Sequence, residues 1–209
     1  MNNSTPKFYM LPLYILVRPI KGFYALKFEK QGRMWLALAN YLAVCISMAI
    51  MTQYSSVLVN FRNPAFINSM RDFFITTIAL VLFCVSNWAV TSITDGEGKL
   101  KEIFMTVCYA MTPITLLFIP ATVLSNVLTS NEVGFYFMLV SFATFWFAVL
   151  TVVGLIVIHD YGVGKALATF VLTIVALLVI VFLLTLLLTL VQQLYVFLNG
   201  LWTEITLRL

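Results

Sequence analysis

The chain has 209 residues, of which 62% are hydrophobic and only 10% charged, and its net charge is +4. A soluble domain carries about a quarter charged residues, so this sequence lacks the polar side chains that a water-exposed surface needs. The basic residues lie beside apolar stretches rather than on a solvated face, so we interpret them as topology determinants and lipid-headgroup contacts and expect no nucleic-acid partner.

The first 33 residues are predicted to form a cytoplasmic or interfacial amino-terminal segment. The apolar stretch Phe8–Val17 is interrupted by Pro12 and is too short to cross a bilayer, so it is expected to lie at the interface. The stretch after it alternates aromatic and basic residues, a composition that suits an anionic leaflet. The candidate lipid-headgroup residues are Arg18, Lys21, Lys27, Lys30 and Arg33. The alternative is a specific partner-binding arm.

Five charge-free stretches follow, and each is long enough for a helix to cross the roughly 30 Å hydrocarbon core. They are Met34–Phe61, Phe73–Thr94, Ile103–Asn131, Val133–Ile158 and Ala166–Thr203. Runs of this length exclude barrel strands, which alternate polar and apolar residues over about ten positions. The predicted fold is all-α, a polytopic transmembrane helical bundle of about five spans, with its membrane domain over residues 34–190.

The distribution of basic residues predicts the orientation. If the amino terminus is cytoplasmic, the outer segments hold only Arg62, Arg71 and Arg208, and the other nine basic residues lie inside. This is the asymmetry that the positive-inside rule requires. We therefore predict a cytoplasmic amino terminus and an extracytoplasmic carboxyl terminus.

Two short segments between spans carry residues that could have chemical roles. The loop 95–102 has the sequence DGEGKLKE, which lacks the spacing of a phosphate or calcium loop and is interpreted as a glycine-containing turn that caps the third span. His159 is the only histidine and is expected to interact with carbonyls or headgroups near a helix end. A single histidine cannot build a multi-histidine metal site.

Signs of catalysis are missing from the sequence. No Gly-x-Ser-x-Gly or His-Glu-x-x-His motif occurs, and no Asp, Glu, Lys or Arg lies in the middle of a span. The cysteines Cys45, Cys84 and Cys108 have no CxxC spacing, so neither a disulfide nor a metal site is expected. The sequence predicts a non-enzyme without cofactors, and it disfavours a proton-coupled transporter or a charge-selective pore.

The third span is the most irregular. Pro113 and Pro120 each remove a backbone hydrogen bond, so two bends on about the same face are predicted. They affect helix shape alone, or they form a hinge or a groove for a partner. In the second case Tyr109, Pro113 and Pro120 are candidate partner contacts.

The carboxyl end is longer than one crossing requires. Ala166–Thr203 as one helix would measure about 57 Å, so a crossing over residues 166–190 leaves an extracytoplasmic amphipathic segment at 191–209. Gly200 is a candidate point at which this helix bends or ends. The segment is either an interfacial helix of the outer leaflet or a docking helix for a partner. Its candidate contacts are Leu194, Leu198, Leu201 and Trp202.

Four motifs in order along the chain resemble the Yip domain family, the Ypt-interacting-protein family of five-span membrane proteins. They are Arg18-Pro19-x-x-Gly22-Phe23, Asn87-Trp88 ahead of the loop 95–102, Cys108-Tyr109-Ala110-Met111-Thr112-Pro113, and Tyr161-Gly162-Val163-Gly164-Lys165-Ala166. The resemblance covers roughly residues 15–190. For eukaryotic members it implies a non-enzymatic membrane adaptor of the secretory pathway that associates with Rab-type GTPases and with other family members. The chain lacks the family's long polar amino-terminal region and its Asp-Leu-Tyr-Gly-Pro element, which weakens the expectation of a GTPase partner and favours a bacterial plasma membrane.

Two hypotheses for function remain open at this point. The first is an adaptor or accessory subunit that packs within the bilayer against another integral membrane protein, for example a transporter permease. The second is a channel or carrier for a neutral solute, with a path lined by Asn, Ser, Thr and Tyr side chains. Both place the protein in the cell membrane as a multi-pass protein in contact with lipid.

Overall fold

The computed structural model of the protein describes residues 8–63 and 67–208, and this part of the chain is helical with short connections. A turn of 3-10 helix at Phe8–Met10 precedes eight α-helices. They are α1 (Leu11–Val17), α2 (Pro19–Lys27), α3 (Met34–Tyr54), α4 (Ser69–Ile93), α5 (Leu100–Ala110), α6 (Thr112–Ser125), α7 (Val133–His159) and α8 (Val163–Arg208).

Five of the predicted crossings are present as long apolar helices: α3, α4, α5 together with α6, α7, and α8. The all-α fold and its five candidate spans are therefore confirmed. The first span ends at Tyr54, earlier than the predicted Phe61. Polar side chains explain the early end, because Asn60 donates to the carbonyl of Thr52 and Asn126 donates to that of Tyr54. These side chains satisfy carbonyl groups that a helix end leaves without partners.

The third span is the most buried of the five and forms the centre of the bundle. Its helix is interrupted at Met111, between α5 and α6, so a break is confirmed two residues before Pro113. Pro113 lies in the first turn of α6, where a missing N–H costs little, and it restricts the backbone of the residue before it. At Pro120 the helix α6 continues, and the bend predicted there stays a prediction.

The amino-terminal helices α1 and α2 pack into the bundle, which corrects the prediction of a purely interfacial segment. Leu11 and Ile15 of α1 and Phe23 of α2 are fully buried in the main apolar core. α1 contacts α5 and α6, while α2 contacts α7. α1 has only seven residues and is too short to cross a membrane. One apolar stripe of α1, with Leu11 and Ile15, faces other helices, and the rest of its surface faces outward.

Two glycines allow the closest approaches between helices. A Cβ at Gly22 would lie 2.9 Å from the Ile15 Cα, and one at Gly154 would overlap the Thr106 methyl group and approach the Phe23 ring at 3.0 Å. Small residues let helix backbones approach closely in lipid, where the hydrophobic effect does not drive association. Gly154 therefore fixes how closely α7 packs on α2 and α5.

The last helix, α8, is a single helix of 46 residues, about 69 Å long, that passes through Gly200 without interruption. Its buried residues, Ala166, Thr169 and Thr173, lie in its first three turns. From residue 183 onward the described side chains are exposed. The helix does not end at Gly200, while a bend at this residue and the domain boundary at residue 190 stay predictions.

We predict that the connection between α4 and α5 is cytoplasmic and that the one between α6 and α7 is extracytoplasmic. In intact cells a Cys introduced in place of Lys99 should resist a membrane-impermeant thiol reagent, whereas a Cys in place of Asn131 should react. The native cysteines lie within helices and are buried or half-buried, which keeps their background low. Labelling in the reverse pattern would contradict the predicted orientation.

Candidate functional site at the His159 end of the bundle

Residues from several of the motifs meet at one end of the bundle, where α4 ends, α5 and α8 begin, and α7 ends. We call this group the His159 cluster. Its members are Lys27, Asn87, Thr94, Gly96, Gly98, His159, Tyr161 and Thr173. They come from α2, α4, α7, α8 and the two connections at this end.

His159 is the centre of the cluster and is only 2% exposed. Its Nδ1 accepts a hydrogen bond from the Gly98 backbone N–H at 3.2 Å, so this nitrogen carries no proton. The proton of the neutral ring is then on Nε2, which lies 3.2 Å from the Asn87 Oδ1 and donates to it. Both ring nitrogens are bound by protein groups, which corrects the expectation that His159 contacts carbonyls or headgroups.

Asn87 extends this network from α4 to α8. Its Nδ2 donates to the Thr173 Oγ1 at 3.0 Å, and the Thr173 hydroxyl donates to the Thr169 carbonyl at 2.8 Å. Asn87 is 1% exposed and Thr173 is fully buried. A buried polar side chain is costly unless its groups are paired, and here the pairing joins three of the long helices.

The loop between α4 and α5 fits against His159 because it contains glycines. A Cβ at Gly96 would lie 2.6 Å from the Tyr161 Oη and 2.7 Å from the His159 Nδ1. One at Gly98 would lie 2.6 Å from the His159 Cε1. The predicted cap on the third span is confirmed, because the Glu102 carboxylate accepts from the Lys99 N–H at 3.0 Å where α5 begins.

The Tyr161 ring packs on one face of the His159 ring. The two rings are stacked with centroids 5.3 Å apart, and the Tyr161 hydroxyl donates to the Thr94 carbonyl at 3.0 Å. The chain reverses before this residue at Asp160, which has a left-handed backbone with φ of 52° and ends α7. The connection from α7 to α8 is thereby fixed to the end of α4.

Lys27 attaches α2 to the same cluster. Its Nζ donates to the Ile158 carbonyl at 2.7 Å and forms an ion pair with Glu97 at 3.1 Å, and only 11% of its side chain is exposed. Lys27 was a predicted headgroup contact, and this assignment is wrong because its ammonium binds within the protein. The other predicted headgroup residues, Arg18, Lys21, Lys30 and Arg33, are exposed.

Two predicted partner contacts in the third span are also wrong, because they are buried. Tyr109 is fully buried, donates to the Arg33 carbonyl at 3.2 Å and accepts from the Arg33 N–H at 3.3 Å, which connects α5 to the start of α3. Pro113 is buried in the first turn of α6. Pro120 is exposed, as are the predicted contacts on α8, namely Leu194, Leu198, Leu201 and Trp202.

The arrangement indicates a structural role for the cluster. The histidine has no free lone pair to act as a base, and the polar side chains satisfy one another across helices. The cluster therefore holds the ends of α2, α4, α7 and α8 and the start of α5 in one relative position.

A family model agrees with this arrangement of motifs. The Yip1 domain model matches residues 13–187, which includes α1 from Leu13 onward and every residue of the His159 cluster. The chain belongs to the Yip1 domain family. Its Yip1 domain includes the first half of α8, and the remaining part of that helix lies outside the match. No curated protein and no solved structure matches the chain.

Proposed function

We propose that this Yip1 domain protein is a non-enzymatic adaptor or accessory subunit that packs within the membrane against another integral membrane protein, such as a transporter permease, in a bacterial plasma membrane. The observation that supports the proposal best is the second half of α8, which exposes many large apolar side chains and belongs to a helix much longer than its neighbours. It also lies beyond the residues that match the family.

The hydrogen bond between Asn87 and Thr173 sets the two helices side by side. α4 ends and α8 begins at the His159 end, so they run antiparallel. Ser69 lies 18 residues before Asn87 along α4, whereas Arg208 lies 35 residues after Thr173 along α8. At a rise of 1.5 Å per residue, α8 extends about 25 Å beyond the first residue of α4.

The apolar side chains of this extension are unfavourable in contact with water. Its exposed side chains include Leu194, Tyr195, Val196, Phe197 and Leu198, each at least half exposed. Burial of apolar surface contributes roughly 25 cal/mol per Å², and contiguous apolar patches commonly mark interaction sites. A membrane partner of similar apolar character would cover the extension together with the surrounding lipid.

The same reasoning gives less support to the neutral-solute carrier. Polar side chains within the spans bond mainly to the carbonyls of their own helices, as Ser47 does to Val44, Thr122 to Phe118 and Thr151 to Phe147. Such hydroxyls are already paired and are not available as a row of solute ligands. We therefore keep the adaptor as the proposed function.

The test is co-purification of the full chain in mild detergent. The variant Leu198→Ser/Leu201→Ser should lose a stoichiometric partner that wild type retains, because both residues lie on one face of α8. The matched control is Val196→Ser/Leu207→Ser, which removes two more strongly exposed apolar side chains from the opposite face and should retain the partner. Equal recovery from both variants and wild type would contradict a docking role for this face.

A further inference from the structure

A groove opens between α3 and α4 on the side of the bundle that faces lipid. Its volume is about 560 Å³, and seven of its eight lining residues are apolar. They are Met34 and Leu38 of α3, Val81, Cys84 and Val85 of α4, and Leu100 and Phe104 of α5, with Lys101 as the eighth. Both α3 and α4 pack on α5, which forms the floor between them.

The groove lies within one leaflet of the bilayer. On the side away from the His159 end, the two walls meet where the Tyr41 and Thr77 hydroxyls are hydrogen-bonded at 2.7 Å. Val81 is the middle residue of α4 (Ser69–Ile93), so the other lining residues of that helix lie between the bilayer centre and the His159 end. Met34 and Leu100 begin their helices at the mouth.

The mouth of the groove carries a positive charge that the protein does not neutralise. Lys101 is exposed and forms no ion pair with the residues that the structure describes. Glu102 beside it is bound to the Lys99 N–H at the start of α5, and Glu97 is paired with Lys27. Trp35, which is 55% exposed on the first turn of α3, marks the level of the membrane interface.

We propose that this groove binds one anionic phospholipid, with an acyl chain along the apolar walls and the headgroup phosphate at the Lys101 ammonium. An apolar slot that opens to lipid and is limited to one leaflet fits an acyl chain better than a soluble ligand. The single charge at its mouth has the sign that attracts an anionic headgroup.

The experiment is native mass spectrometry of the full chain released from nanodiscs that contain equal amounts of phosphatidylglycerol and phosphatidylcholine. Wild type should retain one phosphatidylglycerol in preference to phosphatidylcholine. Lys101→Gln should reduce this preference about fivefold, the effect of one lysine near a charged membrane surface. The matched control is Lys99→Gln. Lys99 lies two residues before Lys101 and carries the same charge, but its side chain does not line the groove.

A second pair of variants tests the apolar walls. Leu38→Trp should fill the groove and abolish retention of either lipid, whereas Ile46→Trp, at an exposed position elsewhere on α3, should retain phosphatidylglycerol as wild type does. Equal retention of the two lipids by wild type, or full retention by both Lys101→Gln and Leu38→Trp, would overturn the proposal.

Discussion

Replacement of His159 with Phe is expected to destabilise the protein by about 2 to 5 kcal/mol, because it leaves two buried groups without partners at about 1 to 3 kcal/mol each. These groups are the Asn87 Oδ1 and the Gly98 N–H, which the ring nitrogens bind in wild type. Phenylalanine keeps an aromatic ring that can stack on Tyr161 and removes both ring nitrogens, so most of the expected loss comes from the hydrogen bonds.

The measurement is the apparent melting temperature of the detergent-solubilised protein, together with its unfolding by denaturant. Tyr161→Phe is the matched control, because it removes one hydroxyl from the same cluster and should cost about 1 kcal/mol. A His159→Phe protein that melts with wild type would show that these hydrogen bonds do not stabilise the folded bundle.

Replacement of Gly154 with Leu is expected to cost about 3 kcal/mol or to prevent assembly of the bundle. The first atom of the new side chain would overlap the Thr106 methyl group and lie 3.0 Å from the Phe23 ring. Thr106 and Phe23 are themselves fully buried, so neither has free space into which it can move. α7 would have to move away from α2 and α5.

Gly134→Leu provides the control in the same helix, because a Cβ at Gly134 has no neighbour within 4 Å. This variant should insert, purify and melt as wild type does, and loss of a helical glycine should not weaken it. The measurements are the size-exclusion profiles and melting temperatures of Gly154→Leu and Gly134→Leu. Similar behaviour of both would show that the contact at Gly154 does not limit helix approach.

The five crossings could be predicted because hydropathy is a local property of the sequence. A run such as Val133–Ile158 is long enough to span the core whichever helices lie beside it, and α7 has nearly these bounds. An interruption near Pro113 was also predictable, because proline lacks the N–H that would continue the helix and pushes against the preceding turn. That α6 continues through Pro120 depends on neighbouring helices and local adjustments, which spacing does not show, and the bend predicted there stays a prediction.

The partners of the buried polar residues could not be predicted from spacing. His159 bonds to groups 61 and 72 residues away along the chain, and Tyr109 bonds to Arg33 at a separation of 76 residues. No sequence period brings such residues together, because the arrangement of the helices determines these contacts. The two glycines of the loop were a usable signal, since a close approach to another side chain commonly requires glycine.

The burial of α1 and the internal pairing of Lys27 share one explanation. A short apolar helix and a lysine at a membrane surface both have an ordinary role at the interface, so composition favours that role. In the structure, Leu11 and Ile15 are instead buried in the main apolar core. The Lys27 ammonium binds the Ile158 carbonyl and the Glu97 carboxylate. Contacts within the folded chain therefore decide where these side chains lie, and composition alone does not show such contacts.

The uninterrupted α8 also determines how the protein responds to bilayer thickness. Its buried side chains end at Thr173, while residues 174–191 are apolar apart from Thr185 and Thr189, whose hydroxyls bond to carbonyls of their own helix. A helix with such a uniform surface has no polar side that must face water, so it can tilt to accommodate hydrophobic mismatch at small cost. Membranes of different thickness can therefore hold the same bundle, with the adjustment confined to the inclination of this one helix.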